Sequence, residues 1–473
     1  MVAGVALALP GRLAAPRDTF AAPPAASNDL APGLPVGPRY ATTIGRPRDD
    51  AERPPACSFR HPVCVHATRD IAPSVVLGTL ADVERVASLL TAGLGLPWPL
   101  PDSLVSGRSG SPPADSLVSG SLGVATAFDV YLVHPNLAAL AGGWETTARD
   151  DPMPGPFDRA SAFALLRADA PAGPVRRNLV ARAFASAIQW RVDAGEDPVV
   201  RESNAAYLAE LVAPCGAITA DLMDDFQAHP ERALSSPGDA GPAAQMALPW
   251  YLDVTLGSGS PGILPIALAA LGGQKTPTGS SYWQNEPDLF DVLRGVLKAR
   301  TPPLALSDLL VDFAVARLFM GSRDDGVHFP ETAFLGTFGR VRFDWSIDYA
   351  SLPRRLSPER PIDPTGSTYL WIDLRGAPPG AHLAFRMEWE APVLFRWALV
   401  RIGPDGSEVS RVLITPQQKS TTAERNLDEL GGLAGVALVG VNTGDLRLDD
   451  PFDPDVSPYE PHGYVVTVAA MAP

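Results

Sequence analysis

The stretch 175–211 constrains the fold of this chain more than any other, because it holds two helical patterns on either side of one turn. In the first pattern, apolar residues recur at helical spacing across residues 179–188. Gly195, Asp197 and Pro198 follow, and these residue types favour a turn and the start of a second helix. The sequence therefore predicts two consecutive helices that pack against each other.

Polar residues of the first helix share one face. Arg182, Ser186, Gln189 and Asp193 fall at positions i, i+4, i+7 and i+11, which an α-helix places on the same side. The second helix carries a further acidic residue, Glu202. These residues are the first candidates for a functional site.

This layout resembles the core of zinc metallopeptidases of the gluzincin type, in particular those seen in myxobacterial genomes. In that family the first helix carries H-E-x-x-H, often continuing as H-E-F-x-H-A-x-Q, and a glutamate on the next helix completes the zinc site. Residues 182–189 are R-A-F-A-S-A-I-Q, so Phe184, Ala187 and Gln189 match the flanks of the motif. Residues 202–207 are E-S-N-A-A-Y and match the pattern E-x-x-A-x-Y of the second helix.

The metal ligands and the general base of the family are missing. The two histidines correspond to Arg182 and Ser186, and the base corresponds to Ala183. Arginine only donates hydrogen bonds, a serine hydroxyl is a poor zinc ligand beside imidazole, and alanine cannot accept a proton. Glu202 is the one ligand position that survives, and we expect it to pair with Arg182. The resemblance thus implies a degenerate site that binds no zinc or other cofactor.

What the resemblance implies for function is a secreted pseudoenzyme without peptidase activity. Its former cleft, with Gln189, Glu202 and Tyr207 as candidate lining residues, would bind a peptide or a protein partner. Two alternatives stay open: an active metallopeptidase with non-standard ligands, and a structural or cell-surface protein without peptidase ancestry. An open cleft over Glu202 would argue against the last alternative.

Composition excludes some partners. The formal net charge is −15 and the pI is about 4.9, which disfavours binding to nucleic acid or to an anionic membrane surface. No apolar run is long enough for a transmembrane helix. Peptides and proteins remain as the expected partners.

The N-terminal residues favour export. Residues 1–56 combine a partial secretory signal with a Pro- and Ala-rich leader that we expect to be disordered. Cys57 and Cys64 lie close together, and in a secreted or cell-envelope protein they would form a local disulfide. A metal clip that adds His61 or His66 is the alternative, although the spacing fits no standard zinc pattern.

The remaining patterns divide the chain. Strand patterns at Phe128–Val133 and 161–167 precede the two helices, and helical patterns follow them, so residues 57–350 are predicted as an α/β (α+β) metallopeptidase-like domain with a mainly helical second lobe. The proline-rich segment 351–365 is predicted as a linker. Six strand-like runs separated by turns predict a β-sandwich over residues 366–473.

Two loops could carry other chemistry. Asp449, Asp453 and Asp455 offer carboxylate oxygens of the kind calcium prefers, with a solvated acidic loop as the alternative. His328 lies near Asp325 and the preceding Asp324, so a zinc-independent hydrolase is a further hypothesis, against that of a packing loop.

Overall fold

The computed structural model describes most of the chain between residues 53 and 471. Almost all of the leader 1–56 lies outside the described residues, as does the predicted calcium loop with Asp449, Asp453 and Asp455. The described residues are 47, 53–100, 127–137, 140, 143–152, 157, 159–257, 260–273, 287–391, 393–416, 420–445 and 461–471.

The N-terminal part is built on a mixed five-stranded sheet in the order β1-β2-β3-β5-β4. The strands are β1 (Ala56–Cys57), β2 (Val63–Ala67), β3 (Phe128–Val133), β4 (Glu145–Pro152) and β5 (Ala160–Arg167). The three central strands are parallel, and the edge strands β1 and β4 run antiparallel to their neighbours. One face of the sheet packs on the helices α1 (Pro73–Ala87) and α2 (Pro174–Val192).

A disulfide joins the first two strands. Cys57 and Cys64 lie opposite each other in β1 and β2 and are bonded. Both sulfurs are therefore engaged, and His66 instead lies 3.1 Å from Asp129, which leaves no metal clip. Disulfides persist in oxidising compartments, so this bond favours a location outside the cytoplasm. Among the described residues, no helix has the length and apolar character needed to span a membrane.

Helices dominate the middle of the chain. After α2 come α3 (Pro198–Val212), α4 (Gly216–Ala228), α5 (Ala247–Leu256), α6 (Ile263–Gly272), α7 (Leu289–Ala299) and α8 (Leu306–Arg317). The helices α2 and α3 form an antiparallel hairpin, since the Asn178 amide near the start of α2 donates to the Ala213 carbonyl at the end of α3. Asp197 caps α3 by accepting from the backbone amides of Val199 and Val200.

The C-terminal part is a β-sandwich, as the alternating runs predict. One sheet has the order β11-β10-β13-β8-β6 and the other β12-β9-β14-β7. The strands are β6 (Trp345–Asp348), β7 (Arg354–Leu356), β8 (Ser367–Asp373), β9 (His382–Trp389), β10 (Val393–Ile402), β11 (Glu408–Ile414), β12 (Thr422–Leu427), β13 (Gly435–Asp445) and β14 (Tyr464–Met471). Alternate residues of β8, β10 and β13 fill the space between the sheets.

The predicted boundaries 57–350, 351–365 and 366–473 need correction. Both β6 and β7 precede residue 366, yet β6 pairs with β8 and β7 pairs with β14. Ile362 also forms a bridge with His462. Prolines interrupt 351–365 but leave its backbone free to pair between them, so this segment is part of the sandwich and not a linker.

A buried arginine joins the sandwich to the helices. The Arg317 guanidinium at the end of α8 donates to the Phe226 carbonyl, to Oε1 of Gln227 and to Oγ of Ser367 in β8. The hydroxyl of Tyr369, also in β8, donates to a carbonyl of α8. The outer face of the first sandwich sheet therefore shares one hydrophobic core with the helical part.

Glu231 is a second connection between these parts. Its carboxylate lies 2.7 Å from Arg360, 3.3 Å from Arg342 and 3.3 Å from His229. Burial alone would raise the pKa of Glu231, but the hydrogen bonds with His229 and Arg360 outweigh it and lower the pKa to about 2. Glu231 is thus a charged residue that contributes to the stability of the folded chain.

The substitution Glu231→Gln should lower the free energy of unfolding by about 2 kcal/mol at pH 7, because hydrogen bonds to a carboxylate become weaker ones to an amide. The pKa of Glu231 in the folded chain lies below its ordinary value of 4.5. Its contribution is therefore complete above about pH 4.5 and is lost as the pH falls toward 2. Urea unfolding at pH 7 and pH 3 measures the difference, which should be less than half as large at pH 3.

Glu359→Gln is the matched control. Glu359 also faces Arg342, at 3.4 Å, but its side chain is 60% exposed, so its loss should change stability very little. An equal loss in both variants would contradict the role given to Glu231.

Candidate functional site

The helix α2 is buried on almost every side. Each of its residues from 178 to 190 is buried except Arg182, and the buried set includes the polar residues Asn178, Ser186 and Gln189. Pro174 at its first turn fixes where the helix begins. Its polar face therefore meets protein, namely α3 and the edge strand β4, and each polar side chain needs a partner there.

Ser186 and Glu202 meet across the helix hairpin. The Ser186 hydroxyl donates to Oε1 of Glu202 at 2.9 Å, and Nε of Arg201 lies 3.6 Å from the same oxygen. Ser186 is fully buried, whereas the Glu202 side chain is 21% exposed. Ala183 lies on the same helix and accepts, through its carbonyl, a hydrogen bond from the Thr147 hydroxyl of β4. The structure thus brings two of the three predicted ligand positions into contact.

The predicted ion pair between Arg182 and Glu202 is wrong. Nε and Nη2 of Arg182 instead contact Oε1 of Glu145, the first residue of β4. The side chain of Glu145 is only 3% exposed, and a carboxylate buried to that degree requires a cation. The partly exposed Glu202 is satisfied by Ser186 and Arg201.

Glu145 is the site residue that the sequence did not identify. The strand β4 begins E-T-T-A-R, and its polar residues hide the alternation of a strand. Two adjacent β-branched residues, Thr146 and Thr147, are the signal that could have indicated it. Burial raises the pKa of Glu145, the charge of Arg182 lowers it, that of Glu202 raises it, and the net shift is upward.

The Gln189 side chain is fully buried, at 0% exposure. Neither its Nε2 nor its Oε1 has a hydrogen-bond partner in the described part of the chain. Gln189 lies one turn after Ser186 on α2, and long helical side chains lean toward the helix N-terminus. Leaving such an amide unpaired costs about 1–3 kcal/mol per group.

Tyr207 does not join these residues. Its hydroxyl donates to Oδ2 of Asp253 in α5 at 2.6 Å, and its ring stacks on that of Trp250. The same Asp253 oxygen accepts from the Gly262 backbone amide at 2.7 Å. Tyr207 therefore fixes α3 against α5 on the side of α3 away from Glu202.

The residues between α2 and α3 do not fit a zinc ion. All seven histidines lie in the described ranges and each contacts a residue outside these two helices. The pairs are His61 with Ser88, His66 with Asp129, His134 with Asp70, His229 with Glu231, His328 with Asp325, His382 with Asp428 and His462 with Glu390. Cys215, the cysteine outside the disulfide, is buried at the start of α4. The former ligand positions offer one carboxylate, which is too few for zinc.

A different group has the composition of a metal site. Carboxylate and imidazole atoms of Asp225, His229 and Asp239 lie within 4.8 Å of one another. Arg232, however, lies 2.9 Å from Asp239 and 3.6 Å from Asp225. A guanidinium already balances these carboxylates, so the group is assigned to ion pairing and no cofactor is assigned.

His328 has no nitrogen available to act as a general base. Nδ1 lies 2.8 Å from Asp325, and Nε2 lies 2.9 Å from Glu408 of β11. Burial alone would lower the pKa of His328, but hydrogen bonds with both carboxylates raise it to about 9. Asp324 accepts from the backbone amides of the following loop. This group fastens the loop after α8 to the sandwich.

The substitution Gln189→Met should increase the free energy of unfolding by about 1 kcal/mol, because it removes a buried amide that forms no hydrogen bonds. Gln227→Met is the matched control. Gln227 is equally buried but donates to Gly339 and accepts from Arg317, so the same change should destabilise the chain. Thermal unfolding of both variants tests this, and a destabilised Gln189→Met chain would contradict it.

The substitution Arg182→Met should destabilise the chain by about 3 kcal/mol at pH 8, since it leaves the Glu145 carboxyl buried without its cation. The pKa of Glu145 is already raised, and loss of Arg182 raises it further, so the cost should shrink at pH 4.5, where Glu145 is protonated. Denaturant unfolding at both pH values measures this. Adding Glu145→Gln should recover most of the loss at pH 8, and failure to do so would place the effect of Arg182 elsewhere.

Comparisons with known proteins assign no family. Neither a protein-family model nor a curated protein matches this chain. Among solved structures, it is similar to the pre-peptidase C-terminal domain of collagenase from Bacillus anthracis, with 11% identity over 27% of this chain and 95% of that chain and a TM-score of 0.17. It is also similar to the Yersinia pseudotuberculosis-derived mitogen, with 11% identity over 25% of this chain and 86% of that chain and a TM-score of 0.18. TM-scores this low carry no argument about fold or function.

Proposed function

We propose that this chain is a catalytically inactive homologue of a gluzincin-type zinc metallopeptidase, which binds a peptide or protein partner outside the cytoplasm. The contact between Ser186 and Glu202 carries the proposal. These residues occupy the positions of the second histidine and of the third ligand in the family motif. Their contact across the hairpin is the geometry that a shared metal ion would require of those positions.

The surrounding elements support the same ancestry. A sheet with an antiparallel edge strand precedes α2, and that edge strand, β4, contacts α2 through Glu145 and Thr147. In metallopeptidases of this kind a small sheet precedes the metal helix and its edge lines the substrate cleft. The order of sheet, helix, turn and helix agrees with that plan.

The absence of catalysis follows from the residue types. Ala183 replaces the general base of the family, and Arg182 and Ser186 replace its two histidines. The Arg182 guanidinium is paired with Glu145 and supplies a positive charge beside these positions. A guanidinium cannot coordinate a water molecule and lower its pKa as a metal ion does. No group is therefore left to activate water for hydrolysis.

Binding is supported by what remains exposed. The side chains of Arg182 and Glu202 are 18% and 21% exposed, whereas Ser186 and Glu145 beneath them are buried. A guanidinium and a carboxylate at the surface of one site can hydrogen-bond to the charged groups and backbone of a peptide. The strand β4 is the last of its sheet, the position at which an extended peptide can add a strand.

The test is to rebuild the zinc site. The combined substitutions Arg182→His, Ala183→Glu and Ser186→His should create a chain that binds one zinc ion with a Kd of about 1 μM or tighter, because Glu202 already lies beside position 186. Zinc uptake is measured by titration against a chromogenic chelator. The unmodified chain should bind no zinc at this site and should not hydrolyse a quenched fluorescent casein.

The matched control carries Arg182→His, Ala183→Glu and Ser186→Ala and lacks one imidazole. Adding Glu202→Gln to the rebuilt chain should weaken binding at least about tenfold, as expected for loss of a ligand. If the rebuilt chain keeps the circular dichroism and unfolding temperature of the original but takes up no more zinc than the control, the metallopeptidase ancestry is wrong.

A further inference from the structure

The turn between α2 and α3 brings several acidic side chains together. Asp193, Glu196 and Asp197 of this turn lie near Asp288 at the start of α7, and each residue is at most 5% exposed. Asp197 and Asp288 have structural roles as helix caps, each accepting two backbone hydrogen bonds through Oδ1. Asp193 accepts from the Gly195 backbone amide.

Glu196 and Asp288 are buried, and neither forms an ion pair with a cation among the described residues. Glu196 accepts one hydrogen bond, from the backbone amide of Asp197 at 2.9 Å. Within the described ranges, no lysine, arginine or histidine forms an ion pair with either carboxyl. A buried carboxylate in that position is far more costly than the protonated acid, which is neutral and can itself donate a hydrogen bond.

Among the described residues, the charged groups around Glu196 are mostly acidic. On its own turn they are Asp193 and Asp197, and at the start of α7 they are Asp288 and Asp291, the latter paired with Arg294. From α3, Arg201 donates to the Glu196 backbone carbonyl and is attracted electrostatically by the Glu196 carboxyl, while its Nε lies near Glu202. The helix α6 presents no ionisable residue.

Packing at the turn is tight. A Cβ on Gly272, at the end of α6, would lie 2.6 Å from Oδ2 of Asp193 and 2.8 Å from the Pro287 carbonyl. Even one methyl group does not fit, so α6, α7 and the turn are closed directly on one another. If Glu196 and Asp288 are both charged, they can move apart only if the backbone moves, because the packing leaves no room for a side chain to turn away.

We propose that this turn is a proton-dependent clasp, closed on α7 when Glu196 and Asp288 are protonated and opened when they lose their protons. The turn carries the first residues of α3, which include Arg201 and Glu202. Acid therefore holds α3 in place, and a rise in pH frees the end of α3 that contributes to the candidate site.

The direction of the pH dependence follows from the pKa values of the two carboxyl groups. Burial, reinforced by Asp193, Asp288 and Asp197, raises the pKa of Glu196 well above its ordinary value, and burial raises that of Asp288 to about 7. A folded-state pKa above the unfolded value stabilises the closed turn fully below about pH 4 and ceases to do so as the pH rises through 7. Each pH unit above the folded-state pKa lowers the ratio of closed to open turn by about tenfold for each such group.

Hydrogen exchange tests the clasp without reference to any ligand, so its failure is independent of the proposed function. Protection factors, corrected for the intrinsic pH dependence of exchange, are measured by mass spectrometry at pH 5.5 and pH 8 over residues 193–205 and 287–295. We expect protection of these segments to fall by about tenfold at pH 8, while protection of the sandwich stays constant.

The neutral variants Glu196→Gln and Asp288→Asn keep the acceptor oxygens for the backbone amides and should remain protected at both pH values. Glu424→Gln, a change at a side chain that is 70% exposed and paired with Arg386, is the control and should keep the original pH dependence. The proposal is overturned if the unmodified chain shows the same protection at both pH values. It is also overturned if the neutral variants retain the original pH dependence.

Discussion

Burial of the polar face of α2 is the constraint on which the candidate site depends. A helix enclosed on all sides can carry polar side chains only if neighbouring elements supply partners for them. Asn178 finds a carbonyl at the end of α3, Ser186 finds Glu202, and Arg182 finds Glu145. These three contacts fix how α3 and β4 are positioned along α2. Gln189 is the exception, because its amide has no partner among the described residues. Buried polar groups without a partner occur most often at functional sites.

The Arg182–Glu145 pair balances the charge of the most deeply buried carboxyl group of the candidate site. A buried carboxylate beside a second acid needs positive charge, and a guanidinium supplies it from within the chain. The arrangement leaves Glu202 free to interact with Ser186 and Arg201 and to remain partly exposed.

Sequence periodicity predicted the elements that bury apolar residues. The strands β3 and β5, the α2–α3 hairpin and the alternating strands of the sandwich all follow from local patterns of hydrophobicity. Elements that do not bury a regular apolar stripe were not predicted, namely the polar edge strand β4, the short strand β7 and the polar strand β12. A short strand with polar residues is stabilised by pairing with a distant strand, and this information is absent from any local window.

The same limit applies to the site. Helical spacing placed Arg182 and Ser186 on one face, and the resemblance identified Glu202. The partner of Arg182 lies 37 residues earlier in the chain, on a strand that local pattern did not reveal. The turn between the helices was predicted from its residue types. The proximity of its acidic residues to Asp288 was not, because it depends on where α7 packs in the fold. Pairings between distant elements are set by topology, which spacing alone does not determine.

The shared core beneath the sandwich has a consequence for how this protein can be divided. Alternate residues of β8, β10 and β13 face the helices, and α8 packs against them. Both faces of these three strands are therefore buried. Separating the chain near residue 366 would strip β6 and β7 from the sandwich and expose an apolar wall on both fragments. The C-terminal part therefore shares its core with the helices of the same chain and is not an appended module.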